Sequence, residues 1–250
     1  YIDQDLWKLD TNQPNGQPVC IFSHAYWKLT SVVWSQGKLY VVVGTGVRCS
    51  NIVECIQSPN GNWVASTLTT DQSVSFHRQT SIMTKFRGIT AHNNDLYLTD
   101  KESLRKLADK QTFSLLSAVF DHPTGICVCD DGTVYVADSG YHCIRGIKDG
   151  MEFTVAGKLE KPGCLDGPLD YALFERPSDV KMMFDGSLLV SDKAGLRRID
   201  FEKNLVTSFS HATNRNPAFT LDASKRHIIV DTPIGLLRLE SSWKTERILW

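Results

Sequence analysis

The side chains able to ligate a metal or carry acid–base and nucleophilic chemistry are plentiful in this 250-residue chain: seven histidines, seven cysteines and 28 carboxylates. Their spacing does not assemble them into a catalytic set. His24, His77, His92, His122, His142, His211 and His227 share no common position relative to the motifs around them. Cys127 and Cys129 stand two apart, which on a strand puts both on one face. A structural zinc site of that type needs a second pair nearby, and without one these cysteines are expected to be small core residues. Cys49 and Cys55 flank a segment expected to form a hairpin or loop, and they are the pair offered as a disulfide. The odd cysteine count leaves at least one thiol unpaired within the chain. Neither a Gly-x-Ser-x-Gly nucleophile elbow nor a phosphate-binding P-loop occurs. No metal and no cofactor is expected.

Two charged series carry more information. Asp3, Asp100, Asp138 and Asp192 each close a similar hydrophobic run, and Asp231 sits one position early in its own. A ring of such acids is able to hold a cation, but carboxylates at equivalent turns more simply cap their own loops by accepting backbone N–H bonds. Lys28, Lys85, Arg87, His122, Arg176 and Arg215 each precede such a unit. Brought onto one face, they would form an electropositive mouth for a carboxylate, a phosphate or an acidic protein surface. Pairing between the two series would cancel much of that potential. Tyr141, between Gly140 and His142, is the aromatic best placed to contact a partner. Trp27, Trp34, Trp63, Trp243 and Trp250 have packing between elements as their simpler role.

The elements that must position these residues emerge from an internal repeat. His122-Pro123-Thr124-Gly125-Ile126 opens a unit that passes through an Asp130-Asp131-Gly132 turn into Val134-Tyr135-Val136-Ala137-Asp138 and on to Ile144-Arg145. The Asp-Gly turn and the alternation on either side spell strand, tight hairpin, strand. The same grammar recurs around 87–107, 176–200 and 216–239, with a looser copy at 29–44. Aligned second strands place Tyr40, Tyr97, Tyr135, Leu189 and Ile229 in register, spaced 57, 38, 54 and 40 residues apart. A period near 40 suits a four-stranded propeller blade, and the long gaps predict insertions at 46–85 and 157–175. Radial stacking of such blades buries both faces of each small sheet. A β-sandwich is disfavoured by the period.

The unit resembles the NHL repeat. The Pro-x-Gly-Ile start, the Asp-Gly hairpin, the Val-Tyr-Val-Ala-Asp strand and the Ile-Arg third strand carry the likeness. So does the stretch Ala156-Gly157, Asp166-Gly167, Ala172-Leu173-Phe174, Pro177, which is similar to the family's inter-blade element. The resemblance is clear from about 86 to 200 and faint outside. It implies an all-β propeller of six blades with four-stranded antiparallel sheets, occupying 1–250 as one domain. The blades fall at about 1–22 (partial), 26–70, 86–117, 122–157, 176–210 and 216–250. Because the chain opens inside a blade, it reads as a fragment of a longer protein.

Net charge is −1, which gives no support to wholesale attraction to nucleic acid or an anionic membrane. The longest apolar run, Leu39 to Val43, is strand length, so no membrane insertion is expected within the segment. The function expected is non-catalytic: one propeller face presented to a protein partner or a small anionic ligand, in an extracellular or cell-surface setting. The absence of Asn-x-Ser/Thr gives that setting no support. The first alternative is an RNA-binding NHL domain. The second is a degenerate propeller enzyme. The amidating-lyase type needs a set of zinc-binding histidines and the lactonase type an inner ring of Glu, Asn and Asp. Asn216 and Asp179 fit the latter, whereas Lys28, Lys85 and His122 would repel calcium.

Overall fold

The computed structural model describes residues 6–8, 19–22, 28–44, 50–69, 85–108, 112–117, 119–208, 216–222, 224–232, 235–240 and 245–247. The fold is an all-β propeller with four-stranded antiparallel blades. The chain divides into two compact units, Tyr1–Val119 and Phe120–Trp250.

In the first unit, β1 (Leu6–Lys8) pairs with β2 (Val19–Phe22). The first full blade is β3 (Lys28–Ser35), β4 (Lys38–Gly44), β5 (Ser50–Gln57) and β6 (Trp63–Thr69). The second is β7 (Gly88–His92), β8 (Asp95–Thr99), β9 (Leu104–Ala108) and β10 (Thr112–Ser117). In the second unit the third blade is β11 (Pro123–Val128), β12 (Val134–Asp138), β13 (Cys143–Lys148) and β14 (Met151–Gly157). The two-residue β15 (Gly167–Pro168) lies on the outer edge of the fourth blade, β16 (Asp179–Met182), β17 (Leu188–Asp192), β18 (Gly195–Asp200) and β19 (Leu205–Ser208). The fifth is β20 (Phe219–Leu221), β21 (His227–Thr232), β22 (Gly235–Glu240) and β23 (Thr245–Arg247).

The described residues therefore form five full blades, not six. The described residues of 1–22 supply two strands, where a blade needs four. The expected insertion at 46–85 is corrected too: much of it is β5 and β6, the outer half of the first blade. The hairpin or loop expected between Cys49 and Cys55 is the extended strand β5. Cys55 is a buried free thiol, and Cys49 lies outside the described residues.

Blade stacking explains the apolar runs. Successive strand residues point to opposite faces, and a sheet packed on both faces needs apolar residues at every position. Thus Leu188 and Val190 of β17 join a core with Ile144, Val155, Ala172 and Phe174, while Leu189 between them packs with Leu196, Phe219 and Ile228. In the first unit, Tyr40 and Val42 pack with Ile89, Leu96 and Leu98, while Val41 and Val43 pack with Val53 and Cys55.

The Pro-x-Gly-Ile start is the seam between the third and fourth blades. Thr124 Oγ1 donates to the carbonyls of Ala137 (3.3 Å) and Pro177 (3.2 Å). The Gly125 N–H donates to the Ser178 carbonyl at 3.1 Å. A Cβ on Gly125 would lie 2.4 Å from the Asp179 Cα, so only glycine lets these inner strands approach this closely. Gly125→Ala is expected to cost about 2 kcal/mol by forcing the strands apart. The check is a lower denaturant midpoint at unchanged slope, and an unchanged midpoint would show slack in the seam.

Candidate functional site, the loop face of the second unit

The loops that enter each inner strand and the loops after each second strand meet at one end of the blades. The aspartate closing the second strand ties them together. In the third blade, Asp138 is fully buried and its Oδ1 accepts the Asp121 N–H at 2.9 Å. In the fourth, buried Asp192 accepts the N–H groups of Glu175 (3.3 Å) and Ala194 (2.7 Å). In the second blade, Asp100 accepts from Glu102 (3.1 Å) and Ser103 (3.0 Å). These acids cap loops. Among the described residues, no group of three or more His, Cys, Asp or Glu side chains is placed to hold a metal ion. Asp3 and the Asp231 side chain lie outside the described residues.

Each capping acid also faces an arginine from the third strand. Arg105 donates to Asp100 at 2.6 Å, Arg145 stands 3.8 Å from Asp138, and Arg197 donates to Asp192 at 3.3 Å. The register is constant: Arg105, Arg145 and Arg197 pair across the strand with Leu98, Val136 and Val190, each two residues before its aspartate. Sequence reasoning looked for the acids' partners in the basic series and missed these arginines. The available signal was one arginine recurring at a fixed place in an otherwise apolar third strand.

Arg197 has no exposed side-chain surface and makes the largest set of contacts. Its guanidinium donates to the carbonyls of Leu165 (2.7 Å) and Leu173, to Asp166 (2.7 Å) and to Asp192, and lies 4.4 Å above the Phe174 ring. Asp166 also accepts from the Ser208 N–H (2.7 Å) and hydroxyl (2.8 Å). The inter-blade element is thereby fixed to the fourth blade, and it delivers Glu175 and Arg176 to the loop face.

On that face His122, Arg176 and Asn216 are left-handed, with φ of 52°, 51° and 49°, and each precedes a proline. His122 is exposed, and its Nδ1 lies 2.5 Å from Asp121 Oδ1. The Arg176 N–H donates to His142 Nδ1 at 3.0 Å, joining the third blade's loop to the fourth blade's entry. Burial and the nearby Arg176 charge hold the His142 pKa below its ordinary value. Tyr141 is half-buried, and its carbonyl accepts the Glu160 N–H at 3.1 Å. Lys193 pairs with Glu175, whereas the exposed Arg176 guanidinium has no ion-pair partner among the described residues. Hydrogen bonds from the Gly140 N–H to the Asp121 carbonyl and from the Arg176 N–H to His142 link the loops that carry His122, Tyr141 and Arg176. Lys85 is exposed and Arg87 half-buried in the first unit. Lys28 begins β3, with its side chain outside the described residues, as is all of Arg215.

The two caps differ electrostatically. Burial raises the Asp138 pKa to about 7, opposed by the Asp121 N–H and the more distant Arg145, and its Oδ2 has no hydrogen-bond partner. Burial also raises Asp192, opposed first by Arg197. A raised carboxyl pKa means that the folded state binds more protons between the unfolded value near 4 and the folded value. The group's contribution is therefore lost as pH rises through that window. Asp138→Asn is expected to gain on the order of 3 kcal/mol relative to the parent between pH 4 and pH 8. Asp192→Asn is expected to lose about 2 kcal/mol at pH 7, because Arg197 gives up one of its two carboxylate partners. Denaturant melts across pH check both, and parallel profiles for the two variants would contradict the distinction.

An NHL repeat model matches residues 120–147, the third blade from its entry loop through β13. No curated protein matches the chain in sequence. Among solved structures, the chain is similar to an auxiliary nutrient binding protein from Bacteroides ovatus ATCC 8483, at 14% identity and a TM-score of 0.68, covering 91% of this chain and 63% of that one. It thus spans less than two thirds of that protein. It is also similar to a chain of the nidogen/laminin complex (13% identity, TM-score 0.67, 92% of this chain and 82% of that one). Virginiamycin B lyase from Staphylococcus aureus gives 16% identity and a TM-score of 0.56, over 98% of this chain and 73% of that one. At such identities the likeness is one of fold. Residues 120–147 are an NHL repeat, carried by an all-β propeller of four-stranded antiparallel blades.

Proposed function

We propose that this domain is a non-catalytic binding module that presents its loop face to a protein partner or a small anionic ligand. The observation that carries the reading is Arg176: an exposed guanidinium with no ion-pair partner among the described residues, on a backbone fixed from both sides, by His142 and by the Asp192 cap of Glu175. Pre-organisation of that kind lowers the ordering cost of binding. His122 and Tyr141 beside it supply hydrogen-bonding and aromatic surface. A binding role is also in keeping with the names of two similar structures, an auxiliary nutrient binding protein and a chain of the nidogen/laminin complex. The setting that suits this reading is extracellular or cell-surface. No described helix is long and apolar enough to cross a membrane.

Arg176→Glu is expected to weaken binding of a short polyglutamate peptide about tenfold at low salt, since a reversed charge at one contact is worth roughly 1.4 kcal/mol. The thermal midpoint should not move. Calorimetric titration of parent and variant measures this. Unchanged peptide affinity removes Arg176 from the site, and tighter binding of a single-stranded RNA oligomer than of the peptide favours the RNA-binding alternative.

A further inference from the structure

The third and fourth blades end differently at their outer edges. The outer strand of the fourth, β19, is covered by a segment of the chain itself: Gly167 and Pro168 pair antiparallel with Val206 and Leu205. The outer strand of the third, β14, pairs only with β13, so among the described residues its other edge is bare. That edge is exposed where it runs through Met151, Phe153 and Thr154. A bare edge offers a row of unpaired N–H and C=O groups to any extended chain.

A cleft of about 590 Å³ runs beside the bare edge. Thr154 to Leu159 form one wall, and Leu169, Asp170 and Asn204 form the other. Its volume is in the range of built ligand sites. An added strand would lie at the usual lateral spacing of about 4.8 Å from β14. At one end the Gly157 N–H already donates to the Leu169 carbonyl at 3.2 Å, so the walls converge there. The Lys158 ammonium stands 4.8 Å above the Tyr171 ring and has no ion-pair partner among the described residues.

We propose that this slot is a second interaction surface, which accepts an extended segment of a partner protein as an antiparallel fifth strand on β14. Backbone hydrogen bonds to the edge supply the attachment. Apolar side chains at alternate positions meet Phe153 and Leu159, and a carboxylate on the segment meets Lys158. The arrangement repeats on β14 what Gly167 and Pro168 do on β19. The surface adjoins the loop face, because the Glu160 N–H donates to the Tyr141 carbonyl, but the proposal does not rest on that face.

The test uses a capped peptide of alternating valine and threonine with one glutamate, and its twin N-methylated at every second residue. Hydrogen exchange of the whole chain is followed on adding each. The expected result is slowed exchange within 151–157 with the plain peptide only, and at least tenfold weaker binding to Lys158→Glu, restored when the peptide glutamate is changed to lysine. Equal binding of the methylated twin, binding without protection of 151–157, or no binding at millimolar peptide overturns the proposal. Concentration-dependent protection of 151–157 without peptide overturns it in favour of a second copy. Arg176→Glu is a control: it should leave peptide binding here unchanged, which separates this slot from the loop face.

Discussion

The second unit depends on a buried guanidinium. Arg197 sits at the junction of the third and fourth blades with no exposed side-chain surface, surrounded by two carboxylates, two backbone carbonyls and an aromatic ring. Burying an ion costs several kcal/mol unless its hydrogen-bonding capacity is met. Here its terminal nitrogens are met largely by the segment that must be held, 163–175, which crosses from one blade to the next and is folded back on itself by backbone bonds between Leu165 and Leu173. Gly167 at φ 141° and the fully buried Ala172 and Phe174 are the companions of that choice: a turn, a close contact and a ring to lie under the cation.

The other blades show what happens when the same pair is less completely built. Arg105 grips Asp100 directly, while Arg145 is drawn toward Glu152 at 3.2 Å and lies over Phe120, leaving Asp138 at arm's length. Equivalent positions thus hold their aspartate at different distances from the guanidinium, and at Asp138, where the pair is loosest, burial raises the carboxyl pKa. The capping role survives, since an uncharged carboxyl still accepts the Asp121 N–H through its carbonyl oxygen.

The blade pattern was legible wherever the turn chemistry was strong. Pro-x-Gly-Ile, Asp-Gly and Val-Tyr-Val-Ala-Asp fall on β11, the turn that follows it and β12. Upstream, Ser50–Gln57 lacks the glycine and arginine that mark a third strand elsewhere, so it was misread as insertion. Its apolar Ile52 and Val53 belong to a strand buried on both faces. The aspartates were legible as caps because they recur at one turn. Their arginine partners were not, because a charged residue in an apolar strand reads as solvent-facing until the neighbouring segment is seen folded over it. The meeting of His142 with Arg176 was out of reach for the same reason: it spans 34 residues and two blades.

Function follows from this division of labour. The buried pairs are scaffold, and the residues left exposed on the loops they hold are the contacts that the proposed function assigns. Hydrogen exchange on Arg197→Leu tests that most directly. The expected result is fast exchange at the amides of Gly163, Leu165, Leu173 and Ser208, whose acceptors lie in or on the inter-blade element, with β17 still protected. Unchanged protection at those four amides would contradict the anchoring role of Arg197.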